Sequence, residues 1–408
     1  YLNCKWLAAA FAAGVAMGVE SASADPEGSA DPEGFTACVA QLGDQARARG
    51  LPAESVDPVL AGLEYQSRVI ELDRAQPEFS QTFAVYLRTR VTDERVQRGR
   101  ELLARHAGLL ERLTREFGVP GRYLIAFWGL ETNYGSFLGS MPTLDSLATL
   151  ACDPRRAGFF SEQFLTGLEL LQRESLSPEQ MRGSWAGAMG HTQFMPSAYL
   201  EHAIDGDGDG RIDLWGSIED ALASAANYLN NLGWNAGERW GREVRLPDDF
   251  PWHESGIDLR RPLEEWAALG VRRADGGPLP VADLDAALLL PMGHRGAAFL
   301  VYPNFDVIMR WNRSQAYALS VGILADRVVG GGGVSGRLSL LETLPSRTQL
   351  EELQKRLAKL GFDPGEPDGI FGPATREALR AFQRQAGKPA DGYPDPDTIA
   401  ALESNNLD

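Results

Sequence analysis

The chain is poor in the residues on which several large enzyme classes depend. Of its 408 residues, only three are cysteines and five are histidines. The histidines are scattered, and there is neither an HExxH pair nor a clustered Cys/His set, which argues against a catalytic zinc site. No GxSxG nucleophile turn and no Walker loop are present. A formal GxGxxG at 331–336 follows a helical pattern instead of a strand, so we interpret it as a flexible linker and predict no organic cofactor.

Positive charge is also scarce. The 39 Lys and Arg residues face 56 Asp and Glu residues, which gives a formal net charge of −17. Non-specific binding to nucleic acid or to anionic lipid requires a basic surface, so we predict neither partner. A polar glycan is compatible with this charge. The hydrophobic content of 44% is that of an ordinary globular protein.

The N-terminus has the composition of a secretory signal. Lys5 precedes the apolar run 6–19, and Ala22-Ser23-Ala24 offers a small-x-small cleavage site. We therefore predict a signal peptide at 1–24, a flexible leader at 25–34 and no membrane span in the mature protein, because the apolar run is too short for an anchor.

Two cysteines remain once Cys4 leaves with the signal. Cys38 and Cys152 are an even number, and exported proteins meet an oxidising compartment. A disulfide between them is one interpretation, and two buried free thiols are the other. The sequence does not decide, because a disulfide depends on the Cα separation.

Helical spacing of apolar residues dominates the chain, so we predict a mainly α protein. Short apolar and β-branched runs separated by Pro and Gly interrupt it between residues 242 and 312, which indicates a small β-containing insert. The predicted segments are a helical N-terminal region 35–118, a core 119–241, the insert with a closing helix 242–329, a Gly-rich linker 330–346 and a three-helix module 347–408.

Glu131 is a carboxylate at the end of the apolar run 123–130. Apolar surroundings raise the pKa of a carboxyl group, and such a Glu can donate a proton near neutral pH. The alternative is a solvated Glu in the last turn of a buried helix. Glycosidases usually pair two carboxylates, but Asp145 lies in a more polar stretch. A single acid suggests that the substrate supplies the second group.

A second segment, 183–196, is rich in Gly and Ala and allows close backbone approach. Within it, Gln193 offers both a donor and an acceptor to an amide or hydroxyl. A tight helix-packing site is the alternative interpretation. His191 lies in the same segment, where a packing or hydrogen-bonding role is expected and a place in the lining of the cleft is the alternative.

Together, Leu130-Glu131-Thr132-Asn133-Tyr134-Gly135 and the segment 187–197, Gly-Ala-Met-Gly-His-Thr-Gln-Phe-Met-Pro-Ser, resemble the lytic transglycosylase B family of bacterial cell-wall enzymes. The resemblance covers residues 35 to 328. It implies a lysozyme-like helical core in which Glu131 is the sole catalytic acid and base. Glu131 would protonate the oxygen between MurNAc and GlcNAc with help from the N-acetyl group. It would then take the proton of the MurNAc C6 hydroxyl, which closes a 1,6-anhydro ring.

The resemblance also implies a set of substrate contacts. The matching residues are Ser184 near the N-acetyl group, Gln193 and Phe194 in the sugar site, Tyr228 packing on sugar, Asn312 and Tyr317 closing the pocket beside Glu131, and Arg155 meeting the stem peptide. For Arg155 a structural ion pair is the alternative.

The stretch 205–213 reproduces the start of an EF-hand loop. Asp205, Asp207 and Asp209 take loop positions one, three and five, and the carbonyl of Arg211 takes position seven. Position twelve is Gly216 where a Glu is expected. The resemblance suggests that a later acid, Asp220 or Glu219, closes a structural Ca²⁺ site. An Asp/Gly turn without metal is the alternative.

The C-terminal module carries its own recognisable motifs. Leu353-Gln354 and the segments Asp368–Thr375, Phe382-Gln383 and Asp391-Gly392 resemble a peptidoglycan-binding domain of the three-helix type. We therefore predict a monomeric periplasmic lytic transglycosylase whose partners are peptidoglycan strands and their stem peptides. A hydrolytic muramidase and a non-catalytic wall-binding scaffold are the alternatives.

Overall fold

The computed structural model describes residues 32–75, 81–338 and 345–404. Its described residues form two compact units, one of 32–75 and 101–232 and the other of 81–100, 233–338 and 345–404. The predicted signal peptide lies outside the described residues, as does most of the leader. The first helix already begins at Pro32, inside the predicted leader, and proline suits the first turn of a helix.

The elements up to residue 232 are mostly helices. In chain order they are α1 (Pro32–Ala48), α2 (Ala53–Ala61), α3 (Ser67–Ala75), α4 (Phe83–Arg90), α5 (Asp93–Arg105), α6 (Ala107–Phe117), α7 (Gly121–Thr132), β1 (Met141–Pro142), α8 (Thr143–Ala151), α9 (Ala157–Arg173), β2 (Arg182–Gly183), α10 (Pro196–His202) and α11 (Ile218–Asn231). The strands β1 and β2 pair antiparallel, with Met141 opposite Gly183.

Helix α7 is the centre of the first unit. Every residue from Tyr123 to Gly129 is buried, so this helix has no solvent face over two turns. It packs against α6 and α11. Gly118, in the left-handed region at φ 72°, ends α6, and Pro120 precedes the first turn of α7.

A disulfide joins Cys38 on α1 to Cys152 at the end of α8, with 5.8 Å between the two Cα atoms. The structure therefore decides between the two interpretations of these cysteines in favour of the bond. Both cysteines lie in the first unit and are 114 residues apart in sequence.

The described residues after 232 contain the larger sheet, six further α-helices and a short 3-10 helix, Trp252–Glu254. The elements are β3 (Gly241–Arg245), β4 (Gly256–Pro262), α12 (Leu263–Ala268), β5 (Arg272–Arg273), β6 (Asp285–Leu289), β7 (Ala298–Val301), α13 (Pro303–Trp311), α14 (Gln315–Val328), α15 (Arg347–Lys359), α16 (Pro373–Gln385) and α17 (Pro396–Ser404). The antiparallel sheet has the order β4-β6-β7-β3-β5. Its core is built around Trp266, Leu288 and Leu300.

The C-terminal module has a small core of its own, formed by leucines of α15, α16 and α17 with Phe382. Two buried glutamines repeat one hydrogen-bond pattern. Gln354 accepts from the backbone N–H of Gly369, and Gln383 accepts from that of Gly392. Each glutamine also donates to the Asp of the same Asp-Gly turn.

The module contacts the β-containing insert within the second unit. The backbone N–H of His294 donates to Asp391 over 2.7 Å, and Arg295 pairs with Asp397 over 2.5 Å. Through these two contacts the module docks on the insert. Among the described residues, no helix has both the length and the apolar content needed to span a membrane.

Candidate active site

Glu131 lies on the last turn of α7. It is half-buried, whereas Tyr123–Gly129 before it are buried. The helix ends sharply, because Asn133, Tyr134 and Gly135 all adopt left-handed backbone with φ of 50°, 61° and 77°. Such conformations cost about 1–3 kcal/mol for a residue other than glycine and are concentrated at functional sites.

The glycine-rich segment forms a tight loop with two short bridges, Gly183 to Met189 and Met189 to Phe194. Ser184 is buried in it. Its backbone N–H donates to Ala188 O over 2.8 Å, and its Oγ accepts from Ala188 N–H over 3.1 Å. The Ser184 hydroxyl still has its proton to donate.

Hydrogen bonds connect the end of α7 to this segment. Thr132 Oγ1–H donates to the His191 carbonyl over 2.8 Å, and Trp128 Nε1–H donates to His191 Nδ1 over 3.0 Å. Gln193 Nε2–H donates to Leu138 O over 3.1 Å. The structure therefore places the two motifs side by side.

Gln193 has an unusual conformation and an unused acceptor. Its φ is 52°, and its Nε2 also donates to Gly190 O. Its Oε1 is buried without a hydrogen-bond partner. Because an unsatisfied buried oxygen costs free energy, this acceptor lacks a partner that the protein itself supplies.

The two aromatic residues assigned to sugar differ in exposure. Phe194 is buried and lies edge to face against Tyr228, with 5.5 Å between the ring centroids. Tyr228 is half-buried and also stacks on His202 at 4.5 Å. Burial raises the pKa of the Tyr228 phenol. Phe194 therefore supports Tyr228 from the buried side, and the assignment of both rings to the sugar site stays a prediction.

Arg155 belongs to a cluster of ion pairs. Its Nη1 donates to the backbone O and the Oδ2 of Asp73 over 2.8 and 2.9 Å. Asp73 and Asp153 are buried, and Arg74 and Arg156 also pair with Asp73. The structure thus shows the ion pair for Arg155, and the stem-peptide contact stays a prediction.

Asp145, the other acid near the apolar run in sequence, is also engaged. Its Oδ1 accepts from the backbone N–H of Glu64 over 2.6 Å. Burial raises its pKa, although this N–H opposes the shift. Asp145 therefore holds the chain between α2 and α3.

Asn312 and Tyr317 belong to the second unit, where both are buried. Asn312 follows α13, and its Oδ1 accepts from Ser314 N–H over 3.0 Å. Ser314 in turn caps α14 by accepting from Tyr317 N–H. Their assignment to the substrate pocket stays a prediction.

The acidic loop 205–213 has the geometry of a cation site. One carboxylate oxygen each of Asp205, Asp207 and Asp209 lie within 4.8 Å of one another. The oxygens of Asp205 accept from the N–H groups of Gly208 and Gly210. Three carboxylates this close repel unless a cation neutralises them, so the residues present fit a hard ion such as Ca²⁺.

Asp220 holds the backbone of this loop through hydrogen bonds. Its Oδ1 accepts from Gly206 N–H over 2.7 Å, and its Oδ2 accepts from Asp213 N–H over 2.7 Å. It is buried, and burial raises its pKa against these hydrogen bonds. Neither Asp220 nor Glu219 joins the carboxylate group among the described residues. Asp220 therefore braces the loop through its backbone, and its role as a metal ligand stays a prediction.

Comparison with known proteins assigns both parts of the chain. Residues 34–326 match the family model of the transglycosylase SLT domain, and residues 346–402 match that of a peptidoglycan binding domain. The chain is 34% identical over 244 residues to membrane-bound lytic murein transglycosylase B of Escherichia coli (strain K12). The matched residues make up 60% of this chain and 66% of that protein.

Two solved structures extend this result. SltB3 from Pseudomonas aeruginosa in complex with NAG-anhNAM-pentapeptide has a TM-score of 0.86 and 45% identity, covering 90% of this chain and 99% of that one. The Escherichia coli lytic transglycosylase Slt35 in complex with calcium has a TM-score of 0.63 and 31% identity, covering 72% of this chain and 92% of that one. The predicted mainly α, lysozyme-like fold class is confirmed. The chain belongs to the SLT-domain lytic transglycosylases and carries a peptidoglycan-binding domain after that catalytic domain.

Proposed function

We propose that Glu131 is the single acid and base with which this lytic transglycosylase cleaves the MurNAc-β-1,4-GlcNAc bond of peptidoglycan. The observation that carries the proposal is the position of the carboxylate. It is half-buried at the end of a helix whose preceding turns are fully buried, and hydrogen bonds join that helix end to the glycine-rich segment. Such a group is shielded from water on the protein side and reachable by substrate on the other.

The reaction proceeds in two steps that return Glu131 to its starting state. The protonated carboxyl donates to the glycosidic oxygen, the bond from C1 to that oxygen breaks, and the MurNAc N-acetyl group assists departure. The carboxylate then accepts the proton of the C6 hydroxyl, whose oxygen bonds to C1 and closes the 1,6-anhydro ring. No water is consumed, so one carboxyl group is enough.

Two residues of the glycine-rich segment orient the sugar. The Ser184 hydroxyl has a proton available for the N-acetyl carbonyl, and the buried Gln193 Oε1 has an acceptor position available for a substrate N–H or O–H. Both side chains are held by backbone contacts within their own loop. They are therefore preorganised before substrate binds.

The products distinguish this reaction from hydrolysis. Digestion of purified peptidoglycan is expected to release muropeptides that end in 1,6-anhydroMurNAc, because O6 and not water attacks C1. Mass spectrometry before and after borohydride reduction measures this, since an anhydro end resists reduction. A hydrolytic lysozyme on the same material provides the control. Products with only reducing MurNAc ends would show that the enzyme is a muramidase.

We further propose that the acidic loop binds a structural Ca²⁺ through Asp205, Asp207, Asp209 and the Arg211 carbonyl. The clustered carboxylate oxygens support this, as does the calcium complex of the similar Slt35. The ion would neutralise the loop and fix its shape. Chemistry at Glu131 does not require it.

Removal of calcium is expected to lower thermal stability more than catalysis. A ligand at about 100 times its Kd stabilises the folded state by about 2.7 kcal/mol, so a chelator should lower the unfolding temperature by several degrees. Calorimetry with chelator and then with excess Ca²⁺ measures this. The exposed Asp209→Asn variant should lose the response, and Asp258→Asn, an exposed acid outside the loop, should keep it. Identical melting of the wild type with and without Ca²⁺ would refute the site.

We propose that the enzyme acts in the periplasm. The Cys38–Cys152 disulfide supports an oxidising compartment, and peptidoglycan lies outside the inner membrane. The complex of SltB3 with NAG-anhNAM-pentapeptide supports glycan strands that carry stem peptides as the substrate class. The C-terminal module would hold the enzyme on the wall. A monomeric state stays a prediction.

A further inference from the structure

His191 connects three parts of the molecule around the helix end that bears Glu131. Its Nδ1 accepts from Trp128 Nε1–H over 3.0 Å, and its carbonyl accepts from Thr132 Oγ1–H over 2.8 Å. Trp128 precedes Glu131 by three residues and Thr132 follows it directly. Both contacts therefore act on the turn of α7 that carries the carboxylate.

The imidazole ring also fits closely against the left-handed turn after α7. A Cβ atom added to Gly135 would meet the ring at 2.3 Å, so only glycine allows this approach. Gly135 N–H donates to Thr132 Oγ1 over 3.0 Å. Ring, turn and helix end thus form one closed arrangement of buried contacts.

The hydrogen bonds determine the tautomer of this histidine. Because Trp128 can only donate, Nδ1 must be the unprotonated acceptor, and Nε2 then carries the proton. A hydrogen bond to the Trp215 backbone is consistent with a donating Nε2–H. Burial lowers the pKa of His191, although this hydrogen bond and Asp213 oppose the shift, so the neutral ring is favoured.

We propose that His191, as the Nε2–H tautomer, is a positioning residue that holds the Glu131 carboxylate in its reactive orientation through Trp128 and Thr132. The inference rests on the proposed role of Glu131 as acid and base. It assigns to His191 an acceptor function and not merely the filling of volume. Loss of the acceptor should therefore slow the chemical step while leaving substrate affinity nearly unchanged.

Two substitutions distinguish the effect of losing the hydrogen-bond acceptor from the effect of losing side-chain volume. His191→Phe keeps a ring but removes the acceptor, whereas His191→Asn keeps an acceptor near the position of Nδ1 in a smaller side chain. The Phe variant is expected to lose about 10- to 100-fold in kcat with KM within about twofold, since a small misplacement of a reacting group has effects of that size. The Asn variant is expected to retain several times more kcat than the Phe variant. A purely volumetric role predicts the reverse order.

The controls use the same neighbourhood. His106→Phe changes another histidine, whose ring centroid lies 6.0 Å from that of Trp128. Its side chain makes no capping hydrogen bond on α6. This variant should therefore keep kcat within about twofold of the wild type. Trp128→Phe removes the donor of the same hydrogen bond. It should show the same loss of kcat, and it replaces His191→Phe as the test if that variant does not fold. Unfolding temperatures establish which variants are folded.

The outcomes are distinct from those for the proposed function. Wild-type kcat in folded His191→Phe, or an Asn variant no better than the Phe variant, would overturn the positioning role while a loss in Glu131→Gln leaves the proposed function intact. Unchanged kcat in folded Trp128→Phe would overturn it as well. Full activity in Glu131→Gln would overturn both, because His191 would then have no catalytic group to position.

Discussion

Replacement of Glu131 by Gln is expected to lower the rate of anhydromuropeptide release by about 10⁴-fold, the upper range for a general acid–base group. The amide has almost the same shape as the carboxyl group, but it neither donates to the glycosidic oxygen nor accepts the C6 hydroxyl proton. The loss is large because one residue serves both steps. Glycan binding should persist, because Ser184 and Gln193 are unchanged.

The measurement combines turnover of purified peptidoglycan with binding of soluble glycan strands to the same variant. Glu111→Gln offers a matched control, since Glu111 is an exposed acid on the neighbouring helix α6. It should retain wild-type activity. Undiminished turnover by Glu131→Gln would assign the chemistry to another acid, and absence of turnover by the wild type would favour the non-catalytic scaffold.

Loss of the disulfide is expected to lower the free energy of unfolding by about 2–5 kcal/mol, the usual cost of removing a native bridge. The bond joins α1 to the end of α8 across 114 residues, so it restricts a long loop in the unfolded chain. It is also directly followed by buried Asp153, which pairs with Arg74 over 2.7 Å. Cys38→Ser with Cys152→Ser should therefore unfold at a clearly lower temperature.

Chemical denaturation with and without a reductant tests this effect. The wild type should approach the stability of the double variant when it is reduced, and the double variant should not respond to reductant at all. Activity at low temperature should change little, because neither cysteine belongs to the proposed site. Equal stability of the oxidised wild type and the double variant would contradict the prediction.

The candidate catalytic residue, Glu131, could be proposed from sequence because its signal is local. An acid at the end of an apolar run is visible without coordinates, and the run is indeed the buried helix α7. The acidic loop is similarly visible, since Asp205, Asp207 and Asp209 are two residues apart. In both cases the residues that form the candidate site are neighbours along the chain.

The apolar pattern of the sequence was less informative where one continuous apolar run forms two kinds of secondary structure. The apolar stretch from Ala298 to Met309 reads as one β-containing segment, yet it forms strand β7 and then helix α13. Pro303 explains the break, because it suits the first turn of a helix. The leader shows the same effect at Pro32, where α1 begins.

The sequence by itself determined the helical class, the lone acid, the loop carboxylates and the order of the modules, because each follows from spacing along the chain. Only the tertiary structure decided which distant side chains meet. It joined Cys38 to Cys152 by a disulfide and paired Arg155 with buried Asp73. It also placed the Asp220 carboxylate where it accepts hydrogen bonds from backbone N–H groups. It also put His191 against Trp128 across 63 residues. Burial and hydrogen-bond satisfaction govern these pairings, and both depend on the packed fold.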